Sequence, residues 1–447
     1  MTPNGSRTRA AASTSATAAL LLGGLLMSCS QPGGDSTGEV EIERGLVDRV
    51  ITTLASDEME GRAAFSAGIE RAADFLVEEF DRIGLETLEG LDGFRQSFTV
   101  YSLTPENSDV VLNGEPVAAS DFFFMAGAPQ VSWSQEDQIA VTHISDGDDF
   151  ADFFASSRRN PSSALVLVDP AHRDLFNRYR GFFSGSRRVL ELSEGGTVVF
   201  VLTGAGDAES YRVELTTRVE EMPLANIAGK ITGERTDELV LFSAHYDHIG
   251  IRTGAEGDSI ANGANDDASG STAVVALADY FMERRRPERT LLFVLFTAEE
   301  SGGYGSQYFS RQLDPERIVA MFNIEMIGKP AVEGPNTAWI TGFERSSFGE
   351  ILQRAVEGSI YTFYPDPYPT QNLFFRSDNA TLARLGVPAH SISTTPIDVD
   401  PDYHQVSDEV ETLDLDHMTN TIAAIATAAG TIVSGEETPT RVSMEEQ

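Results

Sequence analysis

Leu239-Val-Leu-Phe-Ser-Ala-His245-Tyr-Asp247-His248 is the stretch on which the fold of this chain turns. An apolar run of strand length ends here in side chains that can bind a metal. Two later segments repeat the pattern, Leu292-Phe-Val-Leu-Phe-Thr-Ala-Glu299-Glu300 and Met321-Phe-Asn-Ile-Glu325-Met-Ile-Gly328. Between the first two lies Asn262-Gly-Ala-Asn-Asp266-Asp-Ala-Ser-Gly270, a Gly-rich acidic loop that opens a helix. Strands that deliver ligands at their C-terminal ends are how an open α/β sheet builds a site.

Outward from this stretch, strands and helices alternate. Strands are predicted at 226–231, 239–244, 290–296, 318–326, 337–340 and 389–393, and helices at 269–284, 306–313, 348–356, 377–385 and 416–433. The alternation predicts an α/β fold, a mixed, mostly parallel sheet with helices on both faces. Upstream, residues 45–54 and 67–83 have helical periodicity, and Gly84 ends the second helix. From 99 to 221 the texture changes to short apolar or alternating runs separated by turn residues, which predicts a β-rich inserted domain. The main domain then comprises 44–98 and 222–435, and a polar tail at 436–447 is expected to be disordered.

The N-terminus has a different character. Arg7 and Arg9 precede an apolar run, 16–26, that is too short to span a bilayer as a mature helix. Leu26-Met-Ser-Cys29 follows and holds the sole cysteine. These are the parts of a secretory signal peptide at 1–28. The Leu-x-Ser-Cys ending resembles a bacterial lipobox, which implies a lipidated Cys29, a tether at 29–43, and a membrane-anchored protein facing the periplasm or cell exterior. No thiol is then left for a disulfide or a Cys-based zinc site, so any metal must be held by His, Asp and Glu. The net charge is −37, and lysine occurs only at Lys230 and Lys329. Such a surface repels nucleic acid and anionic membranes, so neither is expected as a partner. It reads either as a solubilising surface or as adaptation to high salt, where screening relieves self-repulsion.

Five side chains stand where a metal site would be built: His245, Asp266, Glu300, Glu325 and His404. Three carboxylates and one hydroxide are balanced by two dications, whereas a single dication leaves excess negative charge in a poor dielectric. Imidazole with carboxylate suits zinc, with cobalt or manganese as substitutes.

The motif set resembles the di-zinc aminopeptidases of the aminopeptidase Y and bacterial leucyl aminopeptidase type, in the clan of glutamate carboxypeptidase II. The likeness covers about 45–98 and 222–435, and the insert sits where many relatives carry a protease-associated domain. The resemblance implies two zinc ions per chain and peptide substrates with a free N-terminus. It makes His245 and Glu325 ligands of the first metal, Glu300 and His404 ligands of the second, and Asp266 the bridge. It makes Asp247 the partner that orients His245, Glu299 the general base, and Tyr403 a donor to the oxyanion. Asp57 to Arg62 resembles the family's Glu-x-x-Gly-Arg turn. Glu325 departs from the usual aspartate by one methylene, and Asn379 stands where His or an aromatic is common, which implies altered substrate contacts. Arg376 is read either as a substrate contact or as a surface salt bridge. Of the remaining histidines, His248 is a candidate support for the ligands, and His143, His172, His390 and His417 are read as packing or surface. A glutaminyl cyclase, a carboxypeptidase and a non-catalytic binding relative are the alternatives on this scaffold, and the oligomeric state is not readable.

The lipobox reading has a direct check. Cys29→Ser should move the protein from the membrane fraction to the soluble fraction; unchanged fractionation rules out the anchor.

Overall fold

The computed structural model describes residues 40–192, 195–254 and 257–443. The expected leader, Cys29 and all of the tether before Val40 lie outside them. The main sheet is built from β1 (Arg95–Leu112), β2 (Tyr211–Ile231), β3 (Arg235–His245), β4 (Arg289–Phe296), β5 (Ile318–Ile324), β6 (Thr337–Ile340), β7 (Thr362–Pro365) and β8 (Ala389–Ser393). Its order is β7-β6-β8-β5-β3-β4-β2-β1. The central strands β8, β5, β3 and β4 are mutually parallel, while β2 joins β4 antiparallel and β6 joins β8 antiparallel.

A parallel strand covered on both faces must be apolar on both. Along β4, Leu291, Phe293 and Leu295 enter one core, and Leu292, Val294 and Phe296 enter the other. The first core lies under α1 (Arg44–Leu54), α2 (Ala67–Ile83), α3 (Ser269–Met282) and α4 (Leu415–Val433). Phe242 of β3 stacks on Phe293 at 5.5 Å and on Phe322 at 4.9 Å, each its register partner on the adjacent strand. The register Ser243↔Asn323 and His245↔Phe296 brings the ends of β3, β4 and β5 to one level.

The stretch 99–221 differs from its reading in two respects. It is rich in strands, as expected, and Phe122–Met125, Val198–Leu202, Ala164–Val168 and Ala140–Ile144 form a four-stranded sheet. It also folds two helices, Phe150–Arg159 and Arg173–Phe183, where Phe150, Phe154 and Phe176 carry the helical spacing and pack on Phe123 and Phe200. Its expected limits, 99 and 221, fall inside β1 and β2, which run unbroken from the main sheet into this part.

The tail is a correction. Residues 436–443 are docked rather than disordered. The buried Arg289 guanidinium donates to the Glu437 carbonyl and Thr438 Oγ1, and Val442 is buried in the second core. A polar composition concealed one apolar anchor and a cluster of acceptors for a buried cation.

Arg62 ties the N-terminal segment to the sheet. It is fully buried, yet its guanidinium is spent on main-chain carbonyls: Nε on Tyr246, Nη1 on Leu54 and Asn262, and Nη2 on Gly263. Burial pulls its pKa down to about 10, opposed by the charges of Asp408, Asp247, Asp266 and Asp267. Three of its four acceptors belong to the loops after β3. Arg62→Met fills the volume but strands these carbonyls. A loss of about 3–5 kcal/mol in urea unfolding is expected; a loss under about 1 kcal/mol, the value of an ordinary hydrogen bond, would show that the anchor is dispensable.

Candidate metal centre

The sequence-predicted residues converge at the C-terminal ends of the parallel strands. His245 ends β3. Glu299 and Glu300 follow β4 after Ala298, whose φ of 59° turns the chain away from the strand. Glu325 follows β5, with its N–H on the Ile392 carbonyl. Asp266 precedes α3, and His404 comes from the loop after β8.

Asp266 is at the centre. Its Oδ1 lies 3.3 Å from His245 Nε2, and its Oδ2 lies 3.2 Å from His404 Nε2. Each oxygen therefore faces a different imidazole. Glu300 Oε1 is 3.1 Å from His404 Nε2 and 2.9 Å from His248 Nδ1. Burial alone would raise the Asp266 carboxyl, but hydrogen bonds with His245 and His404 bring it well below the ordinary range. His404 is pushed up to about 10 by its bonds to Asp266 and Glu300. Tyr403 stacks on the His404 ring at 4.0 Å and lines the same pocket.

The acids outnumber their partners. Burial raises Glu325 to about 7, eased by His245 and by a hydrogen bond with Ser377. Burial also raises Glu299 well above its usual value, opposed by His245 and reinforced by Asp378, Glu325 and Glu300. Asp378 is raised to about 6 by burial, opposed by His245 and by a hydrogen bond with Ser306. Carboxylates this deeply buried are stable as anions only beside cations. The one fully buried arginine here, Arg62, is bound to carbonyls. A donor set of imidazoles and carboxylates without thiols suits a divalent cation of zinc type, and His248, Asp266 and Glu300 already converge within 4.8 Å. The residues present therefore fit metal.

Several placements differ from the sequence reading. Asp247 does face His245, but the Nδ1 partner is the Asp247 carbonyl at 3.1 Å, with the carboxylate 3.8 Å away. That carboxylate instead accepts from the Glu299 N–H at 3.0 Å, and burial raises it to about 7. His248 joins the cluster directly through Glu300, closer than a supporting role requires. Asn379 is buried, spans the Phe374 and Ala389 carbonyls and accepts from the hydroxyl of pocket-lining Ser391, so it stands behind the wall of the pocket. Arg376 lines the pocket and bonds Gln371, with no ion pair among the described residues. His390 is buried against Phe348 between Ser346 and Thr341, as packing.

Two positioning acids were missed. Asp267 Oδ1 accepts from the N–H of Gly270 and Met326, both at 3.0 Å, and its Oδ2 accepts from the His245 N–H at 3.3 Å. Asp408 accepts from the N–H of Asn265 at 2.9 Å and of Asp266 at 3.1 Å. Their signal in the sequence was only adjacency: Asp267 beside Asp266, and Asp408 four residues after His404.

Comparison with known proteins agrees with this geometry. The chain is 28% identical over 278 residues to leucine aminopeptidase 1 of Arthroderma gypseum, covering 59% of this chain and 70% of that protein. Its fold resembles an aminopeptidase from Aneurinibacillus sp. strain AM-1, with a TM-score of 0.53 at 16% identity, over 91% of this chain and 97% of the other. It also resembles BSAP, a zinc aminopeptidase from Bacillus subtilis, with a TM-score of 0.53 at 16% identity, over 89% and 96%. Residues 226–429, which carry every metal-binding candidate above, match the model of Peptidase family M28.

Proposed function

We propose that this protein is a zinc-dependent aminopeptidase that removes N-terminal residues from peptides. The observation that carries this reading is the Asp266 carboxylate, which turns one oxygen to His245 and the other to His404. It supports two ions per chain: His245, Asp266 and Glu325 would hold one, and Asp266, Glu300 and His404 the other, with His248 beside the second. When bound, they supply polarisation of the scissile carbonyl and acidification of a water molecule.

The chain's own residues do the rest. Glu299 is partly buried beside the cluster, and its carboxylate accepts no hydrogen bond from the described residues. Its raised affinity for protons suits a base that takes a proton from the attacking water and returns it to the leaving amine. Asp247 fixes the main chain of Glu299 and, through its carbonyl, the tautomer of His245. Tyr403 lines the pocket, and its hydroxyl is the donor to the oxyanion in this reading. The pocket is ≈ 240 Å³, acidic at the cluster and walled by Trp339, Leu373 and Ile397. A cationic N-terminal amine matches the acids, and an apolar first side chain matches the wall.

Arg376 favours a second reading, a carboxypeptidase that captures a substrate carboxylate. Export and anchoring through Cys29 belong to the proposal too; no helix among the described residues is long and apolar enough to cross a membrane.

Hydrolysis of peptides with a free N-terminus, and none of their N-acetylated forms, is expected; cleavage of blocked peptides from the C-terminus would select the carboxypeptidase. Glu299→Gln should keep its metal content and lose about 10²–10⁴-fold in rate. Glu300→Gln should bind one metal more weakly and regain part of its activity in excess zinc. Metal analysis with the opposite pattern reverses the two roles, and full activity in both variants removes the site.

A further inference from the structure

The part of the chain between β1 and β2 lies outside the family match and carries a cavity of its own. It measures ≈ 460 Å³, larger than the pocket at the metal centre. Its walls come from the two helices Phe150–Arg159 and Arg173–Phe183 and from the strand Arg187–Val189. Phe154 and Tyr179, stacked at 3.8 Å, give it an apolar side together with Phe183, and Phe182 stands 79% exposed at its edge.

Four arginines surround this hollow: Arg158, Arg178, Arg187 and Arg188. None of them forms an ion pair among the described residues, although nearby Arg173 and Arg311 are paired with Asp121 and Glu191. Among the described residues half-buried Arg187 reaches only the Ala126 carbonyl, at 3.5 Å, and its guanidinium lies 5.5 Å from the Phe183 ring. Burial and the neighbouring Arg158 charge both lower its pKa. Acids are abundant in a chain of net charge −37, and among the described residues none lines this hollow. Like charges gathered in a partly desolvated hollow repel each other, and an entering anion relieves that repulsion.

Guanidinium forks match a carboxylate, and the aromatic side matches an apolar body next to it. A concave site of this size encloses a small group or a chain end rather than lying on a flat surface. We propose that this cavity binds the carboxylate of an organic acid with an apolar body, of the kind presented by a free acid or by the C-terminal residue of a peptide.

The test is calorimetric titration of the full chain at low salt with acetyl-Ala-Ala-Phe, N-blocked against hydrolysis, and with decanoate. Each is compared with its amide. The acid forms should bind, and the amides should bind at least about tenfold more weakly, because they lose the charge-assisted bonds. Arg158→Gln, at an exposed position, should weaken binding several-fold. Arg158→Gln with Arg187→Gln should abolish it, while hydrolysis of a small chromogenic substrate stays at the wild-type rate. Tighter binding of the tripeptide assigns the site to peptide ends, and tighter binding of decanoate assigns it to free acids. Equal binding of acids and amides overturns the proposal. So does unchanged affinity in the double variant, and so does no binding of either acid at millimolar concentration. Capture of the chain by anionic phospholipid vesicles, with both soluble acids failing, overturns it as well.

Discussion

One buried carboxylate holds the metal centre in register. Asp267 accepts main-chain N–H groups from the end of β3, the start of α3 and the residue after Glu325. These segments present His245, Asp266 and Glu325. Burial, with Glu325 and Asp266 nearby, raises the Asp267 carboxyl well above its usual value, opposed by His245 and by the Met326 N–H, so its charge is tolerated only beside such partners. Asp408 does the same for the other side of the loop, bonding the N–H groups of Asn265 and Asp266 from the segment that carries His404. Backbone and carboxylate thus fix the positions from which the ligands reach inward.

A further ionic strap completes the frame. Lys329, four residues after Glu325, reaches Asp400 at 2.6 Å and Asp402 at 2.8 Å. It is half-buried, and the two acids hold its charge. The loop bearing Tyr403 and His404 has little apolar content, and this pair substitutes for packing. A chain with only two lysines keeps one of them at the base of its site.

The central sheet was legible because period-2 alternation is erased where both faces are covered, leaving apolar runs such as those before His245 and Glu299. Three of the metal-binding candidates, His245, Glu300 and Glu325, were legible because each sits at the end of such a run. Asp267 and Asp408 were not, because a carboxylate that bonds main-chain N–H groups has no sequence mark separating it from a solvated one. His248 was underweighted for a related reason: its nearness to Glu300 depends on how the chain turns after β3, which Arg62 sets from nearly two hundred residues away. The helices Phe150–Arg159 and Arg173–Phe183 were hidden by neighbouring strand signals, and the docking of residues 436–443 by a polar composition.

The long ribbon of β1 and β2 has a consequence for how this architecture tolerates change. Leu112 and Tyr211 are direct register partners at its far end, so everything between them is, in topological terms, the tip of a hairpin. Chain can be added to or removed from that tip while the strands below keep their partners, since lengthening a closed loop costs little. The accessory part and the metal centre can therefore diverge at different rates within one polypeptide, linked by two paired strands whose ladder absorbs none of the variation.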